Sequence, residues 1–160
     1  LVAFIRSMQT AGVVTEADSR TVPAGDASRG EELFFGKAMC SSCHGVNGGG
    51  SVLYADLAGI GAQRSPASLE DSLLTPDKEV RAGERFYQVT TRQGRQVAGK
   101  LMNQDRYSIQ LLTMDETLQS FLTADLSDHG FIASPMPAYQ DVLAAQDIYD
   151  LVAYMLSLKE

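Results

Sequence analysis

The sequence predicts a mainly α domain with a small antiparallel β-meander inserted in its second half. An apolar stripe at the C-terminus carries the first part of this: Ile148, Leu151, Val152, Met155 and Leu156 fall at i, i+3, i+4, i+7 and i+8, one face of a helix. A helix-start pattern near residue 26 carries the second, because Ser28 with Glu31 three later reads as a capping box ahead of the apolar Leu33 and Phe34. The third is a change of period, Tyr107, Ile109 and Leu111 alternating with Ser108 and Gln110. A chain of 160 residues with 44% hydrophobic content suits one domain with its own core.

Taken in order, residues 1–9 read as a short helix and residues 10–25 as a polar linker containing Pro23. The next helix starts at Asp26 or Ser28 and runs towards Gly36. Within it Gly30 weakens the helix by about 1 kcal/mol relative to alanine, which points to a close helix contact on that face. A glycine-rich stretch, Gly45 to Gly50, follows the first motif, and then a loop through Leu57-Ala58-Gly59-Ile60-Gly61. Ser65 is a suitable N-cap with Pro66 at the first helical position, and Pro76 ends that short helix. Between about 86 and 121, Val97 and Leu101 flank Gly99, with turns at Gly94, Asn103-Gln104-Asp105 and Asp115-Glu116. Three or four strands account for this pattern. The competing reading is a loop with helical pieces, since Leu111 to Leu122 also passes as a poor helix. In the C-terminal helix, Asp147 lies near the N-terminus, where the helix dipole favours negative charge.

The chemistry concentrates in Cys40-Ser41-Ser42-Cys43-His44. This C-x-x-C-H run is the attachment signature for c-type haem, in which two thiols add across the porphyrin vinyl groups and the adjacent imidazole becomes the proximal iron ligand. Thiols three positions apart lie on one side of a helical turn, so both reach the vinyls of one flat macrocycle. The motif uses both cysteines of the chain, leaving none for a four-cysteine metal site. A thioredoxin-like redox pair is the other reading, and it calls for a βαβ context where the glycine-rich stretch stands instead. One covalent haem c is therefore expected on Cys40 and Cys43, with His44 as an iron ligand.

Against that background residues 1–9 read closely against Leu151 to Lys159: Leu, Val, Ala and Ser coincide, with an aromatic ring at the fourth place of each. Two explanations stay open, the end of a preceding haem domain and the shared vocabulary of amphipathic helices. Leu1 to Ile5 is too short for the apolar core of a secretory signal. Covalent haem attachment outside the cytoplasmic membrane implies an export signal further upstream and a periplasmic or otherwise extracytoplasmic location.

Asp26-x-x-x-Gly30-x-x-x-Phe34 followed by Cys40-x-x-Cys43-His44-Gly45 resembles the opening of a class I type cytochrome c. The resemblance implies a cytochrome c fold, with N- and C-terminal helices crossing around the haem and Gly30 and Phe34 meeting Leu151 and Tyr154. Ile60-Gly61-x-x-x-Ser65, Leu73-x-x-Pro76, Gly94-Arg95-x-x-x-Gly99, Ser134-x-Met136-Pro137 and Asp150 to Tyr154 extend it. Over roughly residues 26–158 the chain is similar to the haem-binding domains associated with bacterial periplasmic dehydrogenases. Many cytochromes c carry a Gly-Pro-x-Leu segment whose proline carbonyl accepts the proximal histidine's Nδ1 hydrogen bond. Tyr54-Ala55-Asp56-Leu57 stands here instead, and the sequence does not name the acceptor.

For the sixth iron ligand, methionine opposite histidine gives the higher-potential iron suited to shuttling electrons. Met8 precedes the domain, and Met39, Met102, Met114 and Met155 sit in or beside apolar segments where core packing is the default. Met136 differs: Pro135 and Pro137 fix the backbone on either side of it. His129 is the rival, although beside Asp128 and Gly130 it also reads as a solvated loop histidine, and a vacant sixth site is the third option. The expected function is electron transfer between protein partners. The alternatives are a haem subunit or C-terminal domain of a multi-haem periplasmic dehydrogenase complex, and a haem protein with an open site for peroxide or gas. No nucleophile with a base and no nucleotide loop appears in residues 45–160, so no catalytic residue is assigned. A net charge of -7 argues against nucleic acid and leaves room for a basic redox partner, a dehydrogenase or a terminal acceptor. No apolar run approaches the roughly 18 residues of a membrane span.

Overall fold

A computed structural model of the chain describes residues 20–159 except 52, 79 and 81. The helix expected at 1–9 and the linker as far as 19 lie outside the described residues. Helix α1 spans Ala27–Phe35, and its N-cap is Asp26, whose carboxylate accepts from the Ser28 and Arg29 amides at 2.9 and 3.2 Å. Asp26 outcompetes Ser28 because its side chain reaches two of the donors left over in the first turn. The α1 helix crosses the last helix, numbered α4 below, which spans Ala145–Ser157.

That crossing is a backbone contact. A methyl group on Gly30 would overlap the Asp150 carbonyl, and the Tyr154 Cβ lies 2.7 Å from the same point. Phe34 packs on Tyr154 with ring centroids 5.4 Å apart. Charge closes the rim: Arg29 reaches Asp147 at 2.7 Å and Asp150 at 3.2 Å, and Lys37 reaches Asp147 at 3.3 Å. Asp150 is only 1% exposed, and its Oδ1 accepts from the Asp26 amide and the Gln146 amide group, both at 2.9 Å. Buried carboxylates need such partners, since an unpaired one is costly to desolvate.

Two further helices complete this layer. Ile60–Gln63 forms the short α2, and Pro66–Leu74 forms α3, capped by the Ser65 hydroxyl and ended ahead of Pro76. Gly61 gives α2 its own close approach to the carbonyl of Leu156 in α4, 2.5 Å from where a Cβ would stand. Leu33, Phe34, Leu69, Leu73, Leu151 and Val152 form the centre of the helical core.

The β part is larger than the sequence predicts. After a two-stranded ribbon, β1 Gly45–Val46 and β2 Gly49–Gly50, come β3 Phe86–Thr91, β4 Gln96–Gln104, β5 Ser108–Thr113, β6 Leu118–Leu122 and β7 Leu126–Phe131. The last five form one antiparallel sheet in the order β6-β5-β4-β3-β7. The expected meander therefore extends to four strands, and a fifth, β7, returns to pair with β3. Helices and strands claim comparable shares of the described residues, so the mainly α expectation is corrected to a mixed architecture. Leu111 to Leu122 is strand and turn, with Ile109 and Leu111 fully buried beside Tyr87, Val89, Val97 and Leu126 in a second core. Among the expected core methionines only Met155 is buried; Met39, Met102 and Met114 are more than half exposed. Among the described residues no helix is long and apolar enough to cross a membrane.

Two outcomes follow. Gly30→Ala gains helix propensity but forces α1 from α4, and a net loss of about 1–3 kcal/mol is expected in denaturant unfolding of the haem-loaded protein. The Arg29 hydrogen bond, opposed by burial and helped by Lys37, holds the Asp147 carboxyl below the usual carboxylate range. A depressed folded-state pKa contributes stability that is present above the unfolded value of about 3.9 and lost as pH falls through the folded one. Thermal unfolding of Asp147→Asn should accordingly lose part of the wild-type acid sensitivity while being less stable at neutral pH; an unchanged pH profile would contradict this.

Candidate cofactor site

The C-terminal end of α1 leads directly into the motif. Met39 takes a left-handed conformation, φ 52°, and Cys40–Ser42 form a 3-10 turn continued by the Cys43 and His44 amides donating to the Cys40 carbonyl at 3.1 and 2.9 Å. This winding puts Cys40 and Cys43 on one helical turn, as the spacing predicts. Burial pushes the Cys40 thiol pKa up against the opposing Tyr139 hydrogen bond, which keeps it a thiol rather than a reactive thiolate.

His44 is the next group along the wall. Its Nδ1 lies 3.0 Å from the Ala55 carbonyl, which fixes Nδ1 as the protonated nitrogen and leaves Nε2 with a lone pair. Burial lowers the His44 pKa despite that hydrogen bond, so the imidazole is neutral, the form that ligates a metal. The acceptor that the sequence leaves unnamed is thus a backbone group, at the second place of Tyr54-Ala55-Asp56-Leu57. In the resembling Gly-Pro-x-Leu segment the same place holds the proline, and this correspondence was the available signal.

These side chains face a cavity of about 490 Å3, within the size range of small-molecule and cofactor sites. Cys40, Cys43, His44 and Met136 all line it, together with apolar side chains such as Leu69 and Leu73. The Met136 loop is pinned by the Ser134 amide donating to Asp77 Oδ1 at 2.6 Å and the Met136 amide donating to Ser134 Oγ at 3.2 Å. His129 is not among the lining residues. It sits exposed on β7, a strand rather than a loop, with Nδ1 2.7 Å from the Tyr87 hydroxyl.

Two further lining residues shape the site. Tyr139 donates to the Ala38 carbonyl at 2.7 Å and stands 3.7 Å from Cys40 Sγ, so it ties the segment after Met136 to the motif. Arg64 reaches Ser72 Oγ at 3.0 Å and brings positive charge to a site whose expected occupant carries carboxylates. A mostly apolar cavity, two thiols one turn apart, a neutral imidazole with Nδ1 committed and a thioether together fit a covalently held porphyrin.

Such a fold and site define a c-type cytochrome. The family model for Cytochrome c matches residues 27–110, and the chain belongs to that family, whose cofactor is covalent haem c. The matched stretch runs from α1 through the motif into β5 and ends before Met136 and α4. No curated protein matches the sequence.

Replacing Tyr139 by Phe removes the strong donor to the buried Ala38 carbonyl and leaves only the weak Cys40 Sγ contact at 3.8 Å, which a thioether no longer donates. A loss of about 1–3 kcal/mol in unfolding free energy is expected, and a wild-type denaturation midpoint would show that water satisfies the carbonyl instead.

Proposed function

We propose that the protein is a single-haem electron carrier in which Cys40 and Cys43 hold haem c by thioethers and His44 Nε2 and Met136 Sδ are the axial ligands. The observation that supports this most is that His44 and Met136, far apart in sequence, line the same cavity as both thiols. When bound, haem supplies a one-electron iron couple, which imidazole with thioether ligation biases towards the reduced state.

The chain's own residues keep the geometry constant while charge changes. The Ala55 carbonyl orients His44, and Ser134 with Asp77 pins the loop in which Pro135 and Pro137 restrict the backbone around Met136. Leu69, Leu73 and Met155 exclude water from the same space. In this reading the chain acts as a carrier rather than an enzyme, exchanging electrons with a redox protein whose docking face is basic, complementary to a net charge of -7. The finer reading, a class I type domain serving a periplasmic dehydrogenase outside the cytoplasm, rests on sequence resemblance. Recovery of the haem-bearing protein in a cytoplasmic rather than a periplasmic fraction would overturn its location.

The ligand assignment is tested on Met136→Leu. Oxidised wild type should show the near-infrared charge-transfer band of thioether-ligated iron, and the variant should lose it and bind carbon monoxide rapidly once reduced. His129→Ala should match wild type. A band that survives in Met136→Leu, or wild type that binds carbon monoxide as fast as the variant, overturns the assignment.

A further inference from the structure

We propose that Tyr54, clamped by Phe86 of the inserted sheet, is the positioning residue that holds the Ala55 carbonyl against His44, so that the sheet braces the proximal ligand. The inference rests on His44 being that ligand.

The need for a brace comes from the chain itself. An alanine at position 55 leaves φ free where a proline ring would fix it, so the carbonyl's direction has to be set by the surroundings. Two backbone bonds tether the segment to the motif, the Tyr54 amide to the Cys43 carbonyl at 3.3 Å and the Leu57 amide to the Gly45 carbonyl at 2.8 Å. They bracket Ala55 without constraining it directly. Between them the Tyr54 ring lies 5.6 Å from the His44 ring at 45°. It also stacks on Phe86 at 5.2 Å, nearly parallel at 5°.

Phe86 is a firm backstop. It is buried, opens β3, and pairs with Lys100 of β4, which pairs in turn with Leu112 of β5. The sheet holds the same segment at two further points: the Tyr54 hydroxyl lies 3.9 Å from Met114 Sδ, and Ser51 donates to Glu116 at 2.7 Å. Every one of these contacts comes from the β insertion. Aromatic pairs at such separations stabilise beyond their buried area, which biases one loop conformation.

The consequence is electronic as well as structural. A well-aligned Nδ1–H···O=C bond makes the imidazole more basic and favours the more positive, oxidised iron. Loosening Tyr54 weakens that bond and moves the midpoint potential upwards. Simple opening of the site to water would move it the other way, because solvent stabilises the more highly charged state.

The test uses haem-loaded Tyr54→Leu, Phe86→Leu and Tyr54→Phe, with Phe121→Ala as a control on β6, the edge strand separated from β3 by β5 and β4. Midpoint potential and exchange of the His44 Nδ1 proton, followed by NMR of the reduced protein, are the readouts. Tyr54→Leu and Phe86→Leu should both shift the redox equilibrium upwards by about tenfold, 59 mV for one electron, and speed Nδ1 exchange. Tyr54→Phe keeps the ring stack and loses only the Met114 contact, so it should shift both readouts less than Tyr54→Leu does, and Phe121→Ala should lose stability without moving either readout. Unchanged or lowered potentials in the two leucine variants, or an equal shift in Phe121→Ala, overturn the brace. Failure of the underlying reading is seen separately, as His44→Ala with the ligand field of wild type.

Discussion

No side chain fits between Gly30 and the Asp150 carbonyl, and the rest of the domain depends on that close approach. Because α1 and α4 touch through backbone, the turn leaving α1 and the segment entering α4 are brought to one place. The first carries Cys40, Cys43 and His44; the second carries Met136 and Tyr139. A second close contact, Gly61 against the C-terminal end of α4, sets α2 and α3 along the same cavity.

Charge makes the crossing directional as well as close. Asp150 is buried within the contact, its Oδ1 accepting from the Asp26 amide and Gln146 and its Oδ2 held only by the charge of Arg29 at 3.2 Å, while Asp147 takes Arg29 and Lys37. A buried carboxylate of this kind adds little net stability over an apolar residue, but a slipped register would strand it without partners. The pairing thus discriminates against misaligned packings of two amphipathic helices that would otherwise bury similar area.

Local signals were readable wherever a single residue type has one job. Ser65-Pro66, the Cys40 to His44 run, the α4 stripe and the turns at Gly94 and Asp115-Glu116 all lie where the residues suggest. The tight turn at Asn47-Gly48, both with positive φ, was an available hairpin signal within the glycine-rich stretch. What stayed hidden depends on distant partners. β7 contains Asp128-His129-Gly130 and exposes most of its side chains, so no alternation marks it, and its pairing with β3 spans some forty residues of chain. The Ala55 carbonyl is a backbone atom, so only its place in Tyr54-Ala55-Asp56-Leu57, and not its residue type, pointed to it. Met39 and Met114 are apolar by composition yet lie at the surface, where one-way rules about burial fail.

The central claim is a porphyrin fixed by two carbon–sulfur bonds to one helical turn. Intact mass of the denatured chain tests it most directly, taken for wild type and for Cys40→Ala with Cys43→Ala. The account predicts a wild-type polypeptide heavier by one haem even after unfolding, and a double variant with the mass of bare polypeptide. A wild-type chain that unfolds to its bare mass would contradict it.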